Sequence, residues 1–279
     1  MSRRTSLPPT TINNPLTNFV PHWPVKQNLF GLHVSCVEYD EAVRCVIASA
    51  AQRQAAIVSC HAVHAITTIS GEECLRKQAN DFAMITPDGQ PVRWALNLLY
   101  KAKLKERVYG PELMQRVIKS AVENDLPIYL YGGTPDSLQQ LETNLLANHP
   151  GLKIAGSESP PFRPLSEQEM IETAERINSS ESRIVFIGLG CPKQDKFAAA
   201  QAHRIQAVQV CVGAAFDFHA GIKPMAPEWM QRYGLEWLFR LKCEPHRLWK
   251  RYLVTNSVFC MRLLVAYFSS RQDIAKNNS

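Results

Sequence analysis

The sequence contains no uncharged apolar run long enough to cross a bilayer. The nearest candidate, residues 252–270, includes Thr255, Asn256 and Ser257 and carries Arg262 near its middle. A spanning helix needs about 20 mostly apolar residues, and a central arginine costs roughly 2.5 to 3.5 kcal/mol even on the lenient insertion scale. Residues 1–27 lack the apolar core of a signal peptide and are punctuated by Pro8, Pro9, Pro15, Pro21 and Pro24, so they read as a tail and secretion is not expected. No C-x-x-C pair or metal-ligand spacing joins the cysteines at 36, 45, 60, 74, 191, 211, 243 and 260, which excludes a disulfide framework and leaves them as reduced core thiols. There is no Asp-x-Asp to hold a divalent cation under a diphosphate; the closest segment, Glu38-Tyr-Asp40, is expected to cap a helix. The absence of G-x-x-x-x-G-K-[ST] and of G-x-S-x-G removes the P-loop and serine-hydrolase readings. No internal repeat or low-complexity block occurs.

The charge is unevenly placed. Residues 1–231 carry 22 basic and 22 acidic side chains, whereas residues 232–279 carry 9 basic against 3 acidic, so the whole net charge of +6 resides in the last 48 residues. There, Arg240, Lys242, Arg247, Lys250 and Arg251 alternate with Trp237, Phe239, Trp249 and Tyr252. That mixture suits an amphipathic segment lying on anionic headgroups; a C-terminal helix packed on its own domain with a solvated basic face is the plainer alternative. Nucleic acid is not expected, because the rest of the chain is charge-balanced.

Between residues 28 and 231, short aliphatic runs at 55–59, 82–85, 127–131, 152–155, 183–187 and 207–212 alternate with helical patterns at 110–123, 135–147 and 166–177. Such alternation predicts a Rossmann-like α/β core with a mostly parallel sheet flanked by helices, and a basic helical appendage at 232–279. Thr134-Pro135 and Ser166-x-x-Glu169 mark helix starts.

In open α/β sheets, ligands bind beyond the carboxyl ends of the strands, so the loops after the runs are where chemistry is sought. The loop Thr86-Pro-Asp-Gly89 places a carboxylate at a strand end; Asp88 suits a general base, and it equally suits simple turn chemistry. The pair Gly132-Gly133 either presents N–H groups to a phosphate or answers a steric need. Gly188-Leu-Gly-Cys-Pro-Lys-Gln194 begins like a dinucleotide fingerprint, but Lys193 replaces its third glycine and Pro192 intrudes, which argues against nicotinamide and leaves a nucleotide diphosphate. Asp217, among small and aromatic residues, needs a donor, and ribose hydroxyls would serve. His61 and His64 have a spacing that can seat a metal, but no third ligand is legible, so they read as cleft or core histidines.

Taken together, Thr86-Pro-Asp-Gly89 with Pro91-Val-Arg-Trp94, Arg107-Val-Tyr-Gly110, Tyr131-Gly-Gly133, Gly188 to Gln194, Gly213-Ala-Ala-Phe-Asp217, Ala226-Pro-Glu-Trp-Met-Gln231, Leu235-Glu-Trp-Leu-Phe-Arg240 and Glu244-Pro-His-Arg-Leu-Trp-Lys-Arg-Tyr252 resemble the WecG/TagA/CpsF glycosyltransferases, glycosyltransferase family 26, over about residues 28–265. The resemblance implies an inverting transferase that needs neither metal nor cofactor. It would act at the cytoplasmic face of the plasma membrane, moving N-acetylmannosamine or a related hexose from a UDP-sugar to a polyprenyl-diphosphate-linked sugar in surface polysaccharide assembly. It further implies Asp88 as general base and Ser59, Arg107, Gly190, Gln194 and Asp217 in the UDP-sugar site. His61, Arg240, Arg247 and Lys250 would lie on the acceptor and its diphosphate, with self-association left open. Two positions depart from the family pattern: Ser59-Cys-His61 stands where Thr-x-Asn is usual, and Asp195 where Glu is common. The first leaves donor and acceptor sugars unassigned. The rival readings are a UDP-glucose-type hexosyltransferase of exopolysaccharide assembly, a non-catalytic nucleotide-sugar-binding protein in which Asp88 is only a turn residue, and an NAD-dependent oxidoreductase.

Overall fold

A computed structural model describes residues 22–277, with side chains as far as Ser269; most of the expected tail lies outside the described residues. The chain enters through an antiparallel hairpin, β1 (Lys26–Leu29) and β2 (Leu32–Ser35). It continues through α1 (Tyr39–Ala51), β3 (Ala56–His61), α2 (Val63–Gly71), α3 (Glu73–Asn80), β4 (Met84–Pro87), α4 (Gln90–Tyr100) and α5 (Gly110–Glu123). Next come β5 (Ile128–Gly132), α6 (Pro135–Asn148), β6 (Ile154–Glu158), α7 (Glu167–Ser179), β7 (Ile184–Gly188), α8 (Lys193–Ala200), β8 (Val208–Cys211) and α9 (Ala215–His219). The chain closes with α10 (Glu228–Arg232), α11 (Glu236–Cys243) and α12 (Pro245–Asn277).

Six strands form one parallel sheet in the order β4-β3-β8-β7-β5-β6, and each corresponds to one of the six aliphatic runs. Except at the half-buried edge strand β6, both faces are covered, which is why the runs are mostly apolar instead of alternating regularly with polar residues. Val58, Met84, Leu130, Phe186 and Val210 point to the layer of α1, α5, α6 and α9. Their neighbours Ile57, Ile85, Tyr131, Val185 and Cys211 point to the layer of α2, α4, α7 and α8. Full burial of each large apolar side chain contributes about 1.5 to 3 kcal/mol, so the two layers supply most of what opposes chain entropy.

The local signals for helix starts hold where side chains close them. Thr134 and Ser166 each form a reciprocal capping box, with Ser137 and Glu169 respectively. Glu38 occupies the N-cap position of α1 but makes no capping bond; its carboxylate accepts the Lys105 backbone N–H at 2.6 Å, so the expected cap is corrected to a loop anchor. The hairpin β1–β2 has no counterpart among the expected elements. Its strands are only four residues each, and long-range contacts hold it: Leu29, Leu32 and Val34 are buried in the apolar layer, Asn80 bonds the backbone of both Gly31 and His33, and Lys26 reaches the carbonyls of Asn80 and Phe82.

All eight cysteines are free, but only Cys45, Cys60 and Cys211 are buried; Cys36 and Cys191 are half-buried and Cys74, Cys243 and Cys260 are exposed, which corrects their assignment to the core as a group.

The helix α12 lies along α2 and α4. Leu248 and Phe259 are buried on its inner face, and Phe259 meets Phe30 edge-on at 5.3 Å. Arg262 turns inward and donates to the Ser70 hydroxyl. The outer face consequently carries Leu253, Val254, Met261, Leu264, Val265 and Phe268, each about 60% exposed, without an intervening charge. The segment Pro245–Ser269 is the one helix among the described residues long and apolar enough to cross a membrane by length and composition.

Candidate active site

The loops after β3, β4, β7 and β8 meet α11 and α12 around a cavity of about 640 Å³, at the end of the sheet where ligand sites form and within the size range of such sites. Asp88 enters its wall from a turn made by Gly89, at φ 89°, just before Pro91 in the first turn of α4. One carboxylate oxygen accepts the Gly110 N–H at 3.2 Å. Burial, aided by the nearby Glu236 carboxylate, pushes the Asp88 carboxyl up to about 6 against the opposing pull of Arg107, Arg240 and the Gly110 N–H. A carboxylate poised there is ionised at neutral pH yet basic enough to accept a proton from an attacking hydroxyl.

Around Asp88 the charges are paired in a set pattern. Arg107 donates to Glu236 at 2.7 Å and to Gln231 at 3.1 Å, and its guanidinium stacks over Tyr109. Arg240 approaches the other oxygen of Glu236 at 3.3 Å, bonds the Tyr109 hydroxyl and lies over Phe218. Glu236, at the start of α11, thus ties the core arginine to the appendage arginine. Although burial works against both charges, Glu236 and Tyr109 hold Arg107 and Arg240 above the ordinary arginine range.

Two of the loops in the wall are shaped by glycine. Gly190 and Gly213 sit at positive φ, and Gln194, almost fully buried, closes the first loop by accepting the Gly190 N–H at 3.1 Å. Gly132 and Gly133 do not line the cavity. A Cβ on Gly132 would come within 2.8 Å of the Gly188 backbone, so that pair answers a steric need rather than a phosphate. Asp217 is not isolated: Lys223, also in the wall, meets it at 2.6 Å.

Seven of the expected site residues line the cavity together: Asp88, Arg107, Gly190, Gln194, Asp217, Arg240 and Arg247. Three do not. Ser59 and His61 point to the opposite face of β3 from Cys60, which does line the wall, and both bond one oxygen of Asp195, at 2.7 and 2.8 Å. Both are fully buried, so neither reaches the cavity as a direct sugar or acceptor contact, and their position is corrected to a buried cluster beneath it. Burial alone would raise the Asp195 carboxyl, but His61, Ser59 and Cys191 hold it below the usual carboxylate range. The second Asp195 oxygen and His61 Nδ1 have no partner among the described residues. Lys250 is exposed and lies over the Trp249 ring, outside the wall; its neighbour Arg251 takes the inward position, one turn beyond Arg247.

Arg251, Lys223, Glu236 and His64 therefore join the site without having been singled out as its ligands. The i,i+4 spacing of Arg247 and Arg251 was the one available signal for the first. His64 lines the cavity while His61 does not, so the two histidines do not converge; burial and Arg251 push His64 down to about 4 and keep it neutral. Among the described residues no group of three His, Cys, Asp or Glu side chains could hold a metal ion.

The sequence model of the Glycosyl transferase WecG/TagA/CpsF family matches residues 27–273, nearly the whole chain. The chain belongs to that family and is a glycosyltransferase.

Proposed function

We propose that this glycosyltransferase moves a sugar, N-acetylmannosamine or a related hexose, from a UDP-sugar to a polyprenyl-diphosphate-linked sugar in surface polysaccharide biosynthesis, with inversion and without a metal. The observation that carries the reading is Asp88, raised to about 6 in the wall of a cavity whose other two carboxylates, Glu236 and Asp217, are each held by arginine or lysine. Asp88 takes the proton from the acceptor hydroxyl as that oxygen forms its bond to the anomeric carbon. The bond to the UDP oxygen breaks on the opposite face, and its electron pair leaves with the diphosphate, which inverts the centre.

The leaving diphosphate needs positive charge where its own charge develops. Arg107, Lys193, Lys223 and the Gly190 and Gly213 loops are in the wall to provide it. Gln194 supports the nucleotide side by fixing the Gly190 loop. Ser59 acts at one remove, through Asp195 in the first turn of α8. Arg240 and Arg247 from the appendage would meet the acceptor diphosphate.

The uncharged outer face of α12, preceded by Lys242, Lys250 and Trp249, supports attachment to the inner surface of the plasma membrane as a peripheral protein. The test is UDP release from a panel of UDP-sugars, including UDP-N-acetylmannosamine and UDP-glucose, with and without a lipid-diphosphate sugar. Acceptor-dependent release is expected. Nucleotide-sugar binding without release under any acceptor would instead favour a binding protein.

A further inference from the structure

The carboxylate that Arg107 and Arg240 share does not belong to the core. Glu236 opens α11, in the appendage, and is buried in the cavity wall. Its place is set by the start of α4, the helix that follows the Asp88 turn. Gln90, in the first turn of α4, donates to the Arg232 carbonyl at 3.2 Å. The chain then turns through Gly234 at φ 73°, where a Cβ would come within 3.0 Å of Gln90 and 3.2 Å of Trp94. One helix start therefore positions both carboxylates, Asp88 from the core and Glu236 from the appendage.

Asp88 makes no ion pair among the described residues; its bond is to the Gly110 N–H. The nearby guanidiniums are turned to Glu236 instead, Arg107 at 2.7 Å on one oxygen and Arg240 at 3.3 Å on the other. Gln231 and the Tyr109 hydroxyl take a further N–H from each. Tyr39 of α1 and Cys60 of β3 also face Asp88, and like Tyr109 they are kept protonated by burial. The charges acting on the base are thus two arginines and one carboxylate. A guanidinium bonded straight to Asp88 would stabilise its anion and make it a weaker proton acceptor.

We propose that Glu236 is a positioning residue for the transfer: by drawing Arg107 and Arg240 onto its own two oxygens it keeps them from pairing with Asp88, so that the base of the core is made competent by a carboxylate that the appendage brings. The proposal rests on the reading of Asp88 as the base and adds what sets its strength. It also couples the two parts of the chain, because Asp88 is the next acid acting on Arg107 once Glu236 is withdrawn.

The test is direct titration of Asp88 in the full-length protein, by carbon-13 NMR of labelled aspartate carboxyls with Asp88→Asn as the assignment, beside the pH profile of kcat/KM. Glu236→Gln is expected to move the Asp88 titration about 1 to 3 pH units below its wild-type position near 6, and the acid limb of kcat/KM should move with it. The plateau should fall by less than in Asp88→Asn, since a weakened base remains. Adding Arg240→Gln to Glu236→Gln restores the net charge and should return the titration toward 6. If Glu236→Gln does not fold, Arg240→Gln alone, at a half-buried position, provides the opposite sign: Glu236 is left wholly to Arg107, and Asp88 should titrate higher than in wild type. An Asp88 titration that stays in place in Glu236→Gln, whatever happens to the rate, or that stays or falls in Arg240→Gln, would overturn the proposal. Wild-type transfer with an unmoved titration in Glu236→Gln would sink this role of Glu236 alone, whereas absence of transfer with every lipid-diphosphate acceptor would sink the functional reading beneath it.

Discussion

Asp88 and Asp195 are both surrounded by protein, both follow strands of the same sheet, and both sit near the same cavity, yet their carboxyls are driven in opposite directions. Asp88 is pushed up to about 6, with burial the leading cause and its two arginines shared with Glu236. Asp195 is drawn below its usual range, because burial there is outweighed by His61, Ser59 and Cys191. Burial sets the size of the stakes, and the partners decide the sign. An aspartate whose arginines are already claimed is left basic; one with a dedicated imidazole and hydroxyl is locked as an anion. The first is suited to exchanging a proton, the second to holding a strand against a helix.

The largest expected effect separates the two by activity. Asp88→Asn should lower turnover by about 10² to 10⁴, the range for loss of a general base, while UDP affinity, read by titration, changes little. The same substitution should not reduce stability at pH 7, because it removes an ionised carboxylate from a site that disfavours ionisation.

Asp195→Ala should do the reverse in kind. Removing the carboxylate leaves the buried Ser59 hydroxyl and His61 ring without their partner, which costs about 1 to 3 kcal/mol for each group, read as a shift in the denaturation midpoint, and activity should fall through the Gly190 loop that leads into α8. Asp195→Asn, which keeps a hydrogen-bond acceptor for Ser59, should lose less.

The pH dependence of stability provides a third separation. The folded Asp88 carboxyl lies above its unfolded value of about 3.9, so the native state binds more protons between pH 4 and 6, and its contribution is lost as pH rises through about 6. The folded Asp195 carboxyl lies below its unfolded value, so its contribution is present at neutral pH and disappears as pH falls below about 4. Denaturation curves of Asp88→Asn and Asp195→Asn across pH 3 to 8 should therefore lie closest to wild type at the acid end and diverge from it in opposite directions near pH 7 to 8, Asp88→Asn above wild type and Asp195→Asn below.

The smallest effect is expected at Lys250. Its substitution by alanine, outside the cavity wall, should change stability by less than about 0.5 kcal/mol and leave transfer in detergent solution nearly intact.

The same contrast shows which parts of the molecule were legible in the sequence. Five of the six sheet strands follow from aliphatic runs buried on both faces, the edge strand β6 from a half-buried one, and α6 and α7 from capping boxes written within four residues. Asp88, Gln194 and Asp217 were legible because each is fixed by the loop that contains it. Ser59 and His61 were misplaced by the two-residue period of a strand: adjacent Cys60 faces the cavity and they face away, and nothing in the run 56–61 states which parity is which. Lys250 and Arg251 pose the same problem on a helix, where one step rotates a side chain by about 100°. Arg262 argued against an apolar outer face until its bond to Ser70 placed it inward. In each case the residue type was informative and its direction was set by tertiary contacts.

The central claim is that Asp88, and not its buried counterpart, carries the proton. The most direct measurement is kcat/KM for transfer to a lipid-diphosphate sugar across pH 5 to 8, for wild type and Asp88→Asn. The account predicts that the wild-type rate rises with pH through a pKa near 6 and that the variant loses both this limb and about 10² to 10⁴ of the plateau. A variant with the wild-type plateau and the same acid limb would contradict it.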